Sequence, residues 1–580
     1  MKKQLLWIGI LLAAYLFALC AFGAAAASES TEPSRVPAAE FGEGMTFSAN
    51  TGRYGLTKAL SAMPLTWEAT VYFPYGATSG YAHVLLSNYE RSVSGYSWDI
   101  TRAGHPSLMF YNSSEVTRYT FNTVNVYSGV KMHLAIVADT ENRELRCYVD
   151  GVPVETLELT VDPAQYGTSY SNLGTDQREL NLRLFSGALM RIACYADVRS
   201  AEEILADMTA PGTDGLILHY DTAKTAYGDT VTDLSANKNH AVYEQFWYDE
   251  IDNVTDYAYS VAVVGDTQHN VQYQPENFAK LYDWLRTNAA GKKTAFVLGV
   301  GDITNDDTEE QWAHALSNFA KLDGVLPYAL ARGNHDGTAD SYSARFAGTA
   351  YAKAVGECYY GNLTNTYRTF KAGNVNYLVL TLDYLPTEDV LAWAKGVAEA
   401  HPYHRVLVVT HFNLSARNTL STVGSRIWNG FVKDCPNVEM VFSGHVINDK
   451  ILRKTVTGTA GNRVTHFMIN GQSADGVRIY EGKEAAGLVA MFYFDASGRN
   501  LKVEYYSTSL DKYFMACNQF ETTVGNVAGD TDYDGEVSFS DAMHILKAVV
   551  NKSVCYNGDA NGDAKLGLAD VVRTIKMCVQ

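Results

Sequence analysis

Cysteine is scarce in this chain, 8 in 580 residues, and no two stand in a C-x-x-C spacing. Neither a thiolate zinc site nor the dense disulfide framework of a small secreted fold is indicated. Proline is sparse at 13 against 46 glycines, which excludes collagen-like and proline-rich disordered chains. Basic residues are outnumbered, 46 Lys and Arg against 64 Asp and Glu, for a formal net charge of -18. A nucleic-acid-binding face needs clustered positive charge, and no such patch is present. After residue 27 no apolar run is long enough to cross a bilayer. What the chain does have is length: at roughly 150 residues per domain, 580 residues amount to three or four folding units with sizeable cores.

The first residues set the expected compartment. Lys2 and Lys3 precede an apolar stretch from Leu5 to Ala21, followed by Ala24 to Ala27 and polar Ser28-Glu29-Ser30. That order is a secretory signal peptide cut after Ala27, the alternative being an uncleaved anchor. Leu19 before Cys20 is bulky for lipoprotein cleavage. The mature protein is therefore expected to be secreted and free of the membrane, with Cys147, Cys194, Cys358, Cys435, Cys517, Cys555 and Cys578 serving mostly as small buried hydrophobes.

Residues 28–40 read as a polar, flexible leader, and 41–250 as many short strands between Gly, Asn and Asp turns. Examples are Leu65 to Tyr72, His133 to Ala138, and Arg146 to Val149 before the Asp150-Gly151 turn. This pattern predicts an all-β sandwich. The His133–Asp139 strand, the Tyr148-Val149-Asp150-Gly151-Val152 hairpin, Phe185 to Leu189 leading into Ala201 to Ile204, and Gly215 to Asp221 together resemble the laminin-G/concanavalin-A-like family, an all-β jelly roll. A glycan is the candidate ligand such a fold implies. The tyrosines, however, are expected to fill the core rather than to line a sugar site.

After Asp252 apolar strands alternate with helical patterns at Glu276 to Asn288 and Glu309 to Lys321, which predicts an α/β unit over 255–515. Five apolar runs each end in polar groups: Gly265-Asp266-Thr267-Gln268, Gly301-Asp302-Ile303-Thr304-Asn305, Gly333-Asn334-His335-Asp336, Thr410-His411 and Ser443-Gly444-His445-Val446-Ile447. Ligand sites of α/β sheets lie beyond the carboxyl ends of the strands, so these clusters are expected to meet in one crevice. Carboxylates, amides and imidazoles together suit Mn, Fe or Zn, and a carboxylate can bridge two ions that act on a phosphoryl group. One Gly-Asp or one histidine would carry little weight; five ordered clusters carry more.

This order resembles the calcineurin-like metallophosphoesterase family over Tyr257 to Tyr513, with Gly333-Asn334-His335-Asp336 its most specific element. The family's fold is a sandwich of mixed sheets flanked by helices. The resemblance implies that Asp266 and Gln268 hold one divalent or trivalent metal, that Asp302 bridges, and that Asn334, His411 and His445 hold the second. His335 is implied as transition-state stabiliser or leaving-group acid, oriented by Asp336, with a metal-activated water attacking phosphorus. Gln268 replaces a frequent histidine, and Ile447 stands where the family's Gly-His-x-His would complete the first site. Isoleucine cannot coordinate, so the first site is expected to be weaker, with Asn448 and Asp449 as nearby substitutes.

Residues 516–526 read as a linker, and 527–580 as a small helical module. Asp530, Asp532, Asp534 and Asp541 occupy positions 1, 3, 5 and 12 of a calcium loop with Gly535 at position 6; Asp559, Asn561, Asp563 and Asp570 repeat it 29 residues on, with Ala564 at position 6. Each loop is followed by a phased apolar helix. Asp at position 12 and the absence of a helix before each loop make the tandem resemble a dockerin, which binds two Ca and docks on a cohesin domain of a scaffold protein. The resemblance implies Phe539, Ser540, Leu546 and Lys547, and equivalently Leu568, Ala569, Ile575 and Lys576, as cohesin-binding residues usable in two orientations.

The resulting expectation is a secreted, scaffold-attached phosphoesterase acting on phosphomonoesters or phosphodiesters. The competing expectation, raised by Ile447, is a non-catalytic glycan- or phosphate-binding scaffold component.

Overall fold

The computed structural model describes residues 42–47, 52–74, 82–89, 94–112, 115–166, 170–175, 185–251, 254, 256–472 and 487–579. The expected signal peptide, leader and residue 41 lie outside the described residues. Two antiparallel seven-stranded sheets build the first unit. One has Thr66–Tyr72 and Lys131–Asp139 at its centre; the other runs through Gly52–Ala59, His83–Ser87 and Ser94–Ile100. Alternate residues face inward, and Trp67, Trp98, Phe73 and Phe110 fill the space between the sheets. Tyr54, Tyr96, Tyr195 and Tyr220 are wholly buried, so these tyrosines are core side chains rather than a sugar-stacking face. The Asp150-Gly151 hairpin forms with φ of 49° and 77°, the pair of left-handed residues that a two-residue turn between twisted strands requires.

The second unit stacks two mixed sheets. In one, Tyr259–Val264, Thr294–Gly299 and Tyr328–Leu330 run parallel, with Leu488–Phe494 antiparallel beside the first. In the other, Val375–Thr381, Arg405–Val409, Val438–Ser443 and Arg463–Asn470 run parallel. Val261, Val263, Leu298, Val409 and Phe442 meet between the sheets. Ala262, Val264 and Val297 point outward beneath helices Pro275–Asn288 and Glu309–Phe319. Helices Glu388–Ala400 and Thr422–Gly430 cover the other sheet. Strands buried on both faces explain why they read as unbroken apolar runs.

Two expected boundaries move. Strand Trp247–Tyr248, inside the range assigned to the sandwich, pairs with Lys512–Phe514 of the second unit, and Phe246 sits in that unit's core. The expected linker 516–526 is not one: Phe520–Thr523 adds a strand beside Asn500–Ser507, and Asn518 and Gln519 are hydrogen-bonded within the same unit. Polar side chains made the segment look solvated, whereas they satisfy backbone groups. All seven cysteines beyond Cys20 are free thiols; only Cys147, Cys194 and Cys435 are buried, fewer than expected. At the C-terminus the helices Phe539–Asn551 and Leu568–Cys578, each preceded by an acidic loop, pack on one another.

Arg53 joins the first two units. It is 8% exposed and held between Glu244, 3.0 Å away, and Asp449 of the second unit. Breaking a buried pair leaves an uncompensated charge, which costs about 3–5 kcal/mol. Arg53→Met is therefore expected to lower the melting temperature strongly, and Arg53→Met with Asp449→Leu to recover much of the loss; equal melting of the single variant and wild type would contradict this.

Candidate metal centre at the strand ends

The parallel strands end on one crevice. Asp266 follows Tyr259–Val264, Asp302 follows Thr294–Gly299, Asn334 and His335 follow Tyr328–Leu330, His411 follows Arg405–Val409, and His445 follows Val438–Ser443. The structure brings four of these side chains to one point. His411 Nε2 lies 3.2 Å from Asp302 Oδ2 and 3.1 Å from Asn334 Oδ1. His445 Nδ1 lies 2.9 Å from the same Asn334 oxygen and 3.1 Å from His411 Nε2. The other ring nitrogen of His411 donates to the Val300 carbonyl at 2.8 Å, leaving Nε2 to face the cluster. Two imidazole nitrogens and two oxygens this close fit a cation, because only a shared proton or a metal ion reconciles lone pairs that face each other.

Close approach is built into the loops. A Cβ on Gly444 would stand 2.0 Å from Asp266 Oδ1, and one on Gly333 2.1 Å from Asp302 Oδ1. Asp302 and His445 themselves adopt left-handed backbone, with φ of 50° and 69°.

The remaining expected ligands are less complete. Asp266 accepts the His445 backbone N–H at 3.0 Å and the Asn470 amide at 2.6 Å. Gln268 is buried at the start of helix Gln268–Tyr273; its Nε2 donates to Asn305 at 3.3 Å, and its Oε1 has no hydrogen-bond partner among the described residues. A buried amide oxygen left without a partner is a candidate cation ligand. Ile447 is half-buried and contributes nothing polar. Its neighbours do not substitute: Asn448 Oδ1 accepts the Lys450 N–H, and Asp449 is engaged by Arg53. A bulge between Asn448 and Leu452, bridged by the Asn518 side chain to Asp449 O and Ile451 N, accompanies that placement.

His335 stands beside the cluster, its backbone N–H donating to Asp302 Oδ1 at 3.0 Å. The expectation that Asp336 orients its ring is corrected. His335 Nδ1 donates to the Asn305 carbonyl at 2.8 Å, whereas Asp336 is fully buried and accepts the backbone N–H groups of Thr304 and Gly333, each at 2.8 Å. Asp336 thus ties two loops together.

Several site residues escaped the sequence reading. The Tyr384 ring lies 5.5 Å from His411 and 5.4 Å from His445, and Phe412 lies 4.4 Å from His445. Arg332 pairs with Asp383 at 2.7 Å and reaches the Gly337 carbonyl at 2.6 Å, bracing the loop that carries Asn334 and His335. Asp383-Tyr384 and Asn470 also follow or end parallel strands, so the same strand-end rule applied to Val375–Thr381 and Arg463–Asn470 would have found them.

Burial pushes the Asp266 carboxyl well above the usual carboxylate range, with the Asp302 charge acting the same way against His411. Burial would also raise Asp302, but His411 and the His335 N–H outweigh it and hold that carboxyl low. His411 is opposed by burial yet carried up to about 9 by Asp302 and Asp266. Burial, aided by Asp302, pushes Asp336 up to about 6.

The C-terminal loops form a second, harder set of oxygens. Asp530, Asp532 and Asp534 bring ligand atoms within 4.8 Å of one another. Asp530 is 2% exposed and its Oδ1 has no hydrogen-bond partner among the described residues, which fits a bound calcium. Asp541 accepts Thr531 N and Ser538 N, each at 2.8 Å, closing the loop and capping the helix. Asp570 does the same through Asn561 N and Gly567 N at 3.1 and 2.8 Å. Asp559 accepts Gly562 N and Ala564 N at 2.8 Å, while Asn561 accepts Asp563 N at 2.9 Å and Asp563 accepts Lys565 N at 2.9 Å. Position 6 is left-handed in both loops, with φ of 99° at Gly535 and 64° at Ala564. Phe539, Ser540, Lys547, Leu568, Ala569, Ile575 and Lys576 are exposed, and Leu546 is half-buried.

Residues 259–449 match the calcineurin-like phosphoesterase family, and residues 55–205 match the concanavalin A-like lectin/glucanases superfamily. The chain therefore contains both domains. A curated relative, the uncharacterised protein YvnB of Bacillus subtilis (strain 168), is 25% identical over 407 residues, covering 67% of this chain; the match spans 28% of that protein's length. Among solved structures, a purple acid phosphatase from yellow lupin (Lupinus luteus) seeds is 10% identical, covering 80% of this chain and 91% of its own, with a TM-score of 0.30. The CBM40 of a Ruminococcus gnavus IT-sialidase is 21% identical, covering 28% of this chain and 96% of its own, with a TM-score of 0.23.

Metal ligation needs neutral imidazole, so His411, protonated below about 9, must give up its proton. Mn uptake at pH 7 is expected to release at least one proton, and affinity to fall as pH drops; calorimetry in buffers of different ionisation heat counts the protons, and a count of zero would contradict the pairing. In the second loop, Ala564→Gly is expected to stabilise the calcium-loaded protein by about 0.5–1 kcal/mol, since glycine accepts the left-handed backbone freely. Calorimetric melting in calcium measures it.

Proposed function

We propose that this chain is a secreted, metal-dependent phosphoesterase that hydrolyses phosphomonoesters or phosphodiesters and is attached to a cohesin-bearing scaffold by its C-terminal module. The observation that carries the hydrolytic reading is the convergence of Asp302 Oδ2, Asn334 Oδ1, His411 Nε2 and His445 Nδ1 beside His335. Those four atoms would hold one metal, while Asp266, Gln268 and the shared Asp302 would hold a weaker one. When bound, such metals supply Lewis acidity toward a phosphoryl oxygen and make water a better nucleophile at neutral pH.

The chain's own residues supply the rest. With Nδ1 donating to the Asn305 carbonyl, His335 is left with Nε2 as the nitrogen for the substrate; protonated there, it donates to the leaving oxygen as the phosphorus–oxygen bond breaks. Asp336 and the Arg332–Asp383 pair hold the loop that aims it. Tyr384 and Phe412 wall one side and limit water around His445.

The export reading rests on the amino-terminal charge, apolar and alanine pattern, and the docking reading on two position-matched acidic loops with exposed Phe539 and Leu568 on the helices that follow. The concanavalin A-like domain makes a glycan its candidate ligand. Ile447 favours a second reading, a phosphate-binding component without turnover.

Hydrolysis of an aryl phosphate monoester and diester with added Mn, Zn or Fe separates the readings. His335→Ala is expected to lower kcat by about 10²–10⁴ while metal uptake persists. Unchanged turnover would remove His335 from the mechanism, and inactivity of wild type with every metal would favour binding without turnover.

A further inference from the structure

The calcium-loop module does not hang free of the phosphoesterase. We infer that the loop side of the module is an intramolecular docking surface whose partner is the phosphoesterase of the same chain, so that calcium binding and seating strengthen each other. The inference rests on the calcium-loop reading proposed above.

The contacts fall on equivalent places in the two loops. Position 4 of the second loop is Gly562, whose carbonyl accepts Lys371 Nζ at 2.8 Å and Asn376 Nδ2 at 3.0 Å. A Cβ there would stand 2.0 Å from the Asn374 carbonyl oxygen, so the loop lies directly on the phosphoesterase backbone. Position 4 of the first loop is Tyr533, whose Cβ would be 3.3 Å from a Cβ on Gly461 of the phosphoesterase. Beside the Gly562 contact, a cavity of about 510 Å³ is lined by Val375, Asn376, Arg405, Val527, Arg573 and Met577. The seat thus mixes charged and apolar side chains around its hydrogen-bonded point.

Position 4 has its place only if the loop is closed. Gly562 N donates to Asp559 Oδ1 at 2.8 Å, and Gly535 N to Asp530 Oδ2 at 3.0 Å, so the position 1 carboxylates organise both turns. The first loop crowds Asp530, Asp532 and Asp534 together, and the buried Asp530 leaves Oδ1 without a hydrogen-bond partner among the described residues. Without a cation these charges repel and favour opening. With one, the turns close and present Tyr533 and Gly562 to the phosphoesterase. Coupling between two binding equilibria is reciprocal, so the seat must in turn raise calcium affinity. Phe539, Leu568 and Ile575 stay exposed in the seated arrangement, which leaves those helix faces open to another protein.

Lys371 and Asn376 lie on strands of the phosphoesterase away from the metal centre and meet the second loop at the Gly562 carbonyl, and neither is itself a calcium ligand, so Lys371→Ala with Asn376→Ala tests the seat with every calcium ligand left in place. Calcium titration of the full chain by calorimetry is expected to show about fivefold or greater weakening of one site in the double variant. Hydrogen exchange at residues 374–376 is expected to slow with calcium in wild type and not in the variant. Equal calcium affinity and calcium-independent exchange in both proteins would overturn the seating alone. No calcium uptake by wild type would overturn the calcium-loop reading and the seating with it.

Discussion

Two carboxylates buried side by side, Asp266 and Asp302, set the terms for the second unit. They are 1% and 4% exposed, and an ionised carboxylate taken out of water alone costs several kcal/mol. The fold answers with donors drawn from other strand ends: His335 N–H and His411 to Asp302, His445 N–H and Asn470 to Asp266. Each carboxylate therefore ties down loops that follow different strands. Such loops meet only if nothing projects between them, which is why Gly333 and Gly444 sit where a Cβ would strike carboxylate oxygen. The left-handed backbone at Asp302 and His445, worth about 1–2 kcal/mol each, is a further cost of the same convergence.

The donor set is lopsided. Asp302, Asn334, His411 and His445 turn two carbonyl-type oxygens and two ring nitrogens on a common point, whereas Asp266 spends its oxygens on a backbone N–H and an amide. Of the other expected contributors, Gln268 keeps an amide oxygen without a hydrogen-bond partner among the described residues, Ile447 has no donor atom, and Asp449 has been drawn off to Arg53. A neutral amide and no imidazole make a weaker field for a cation than the histidine side, so the two positions cannot be equivalent.

The strand-end residues were legible because parallel strands covered on both faces must be apolar throughout, so the polar residues that follow stand out. Asn470 and Tyr384 were missed because a single amide or ring after a strand has no such contrast. The Asp336 role was misread for a different reason. Adjacent side chains in an irregular loop diverge, so a carboxylate next to a histidine in sequence need not touch it; here it faces Thr304 and Gly333 instead. The fate of Asp449 depended on a bulge bridged by Asn518 from 69 residues away, a contact that no local pattern encodes.

Domain limits were the least legible feature, and the physical reason is common to both errors. A run of Asn, Gln, Thr and Glu signals solvent only if its polar groups face water. Between residues 516 and 526 they instead satisfy backbone groups of the second unit, with Asn518 fully buried and Asn526 accepting the Arg463 N–H at 2.9 Å. At the other end, dividing the chain after Asp252, where the strand pattern changes, would sever Trp247–Tyr248 from Lys512–Phe514 and uncover the apolar surface that Phe246 and Trp247 fill. The sandwich and the second unit thus share a sheet edge, a core residue and an ion pair. Since Asp449 lies only four residues beyond His445, any force on Arg53 reaches the strand that begins just after a metal-facing histidine. The first domain is therefore part of the mechanical frame of the site, whatever ligand it also carries.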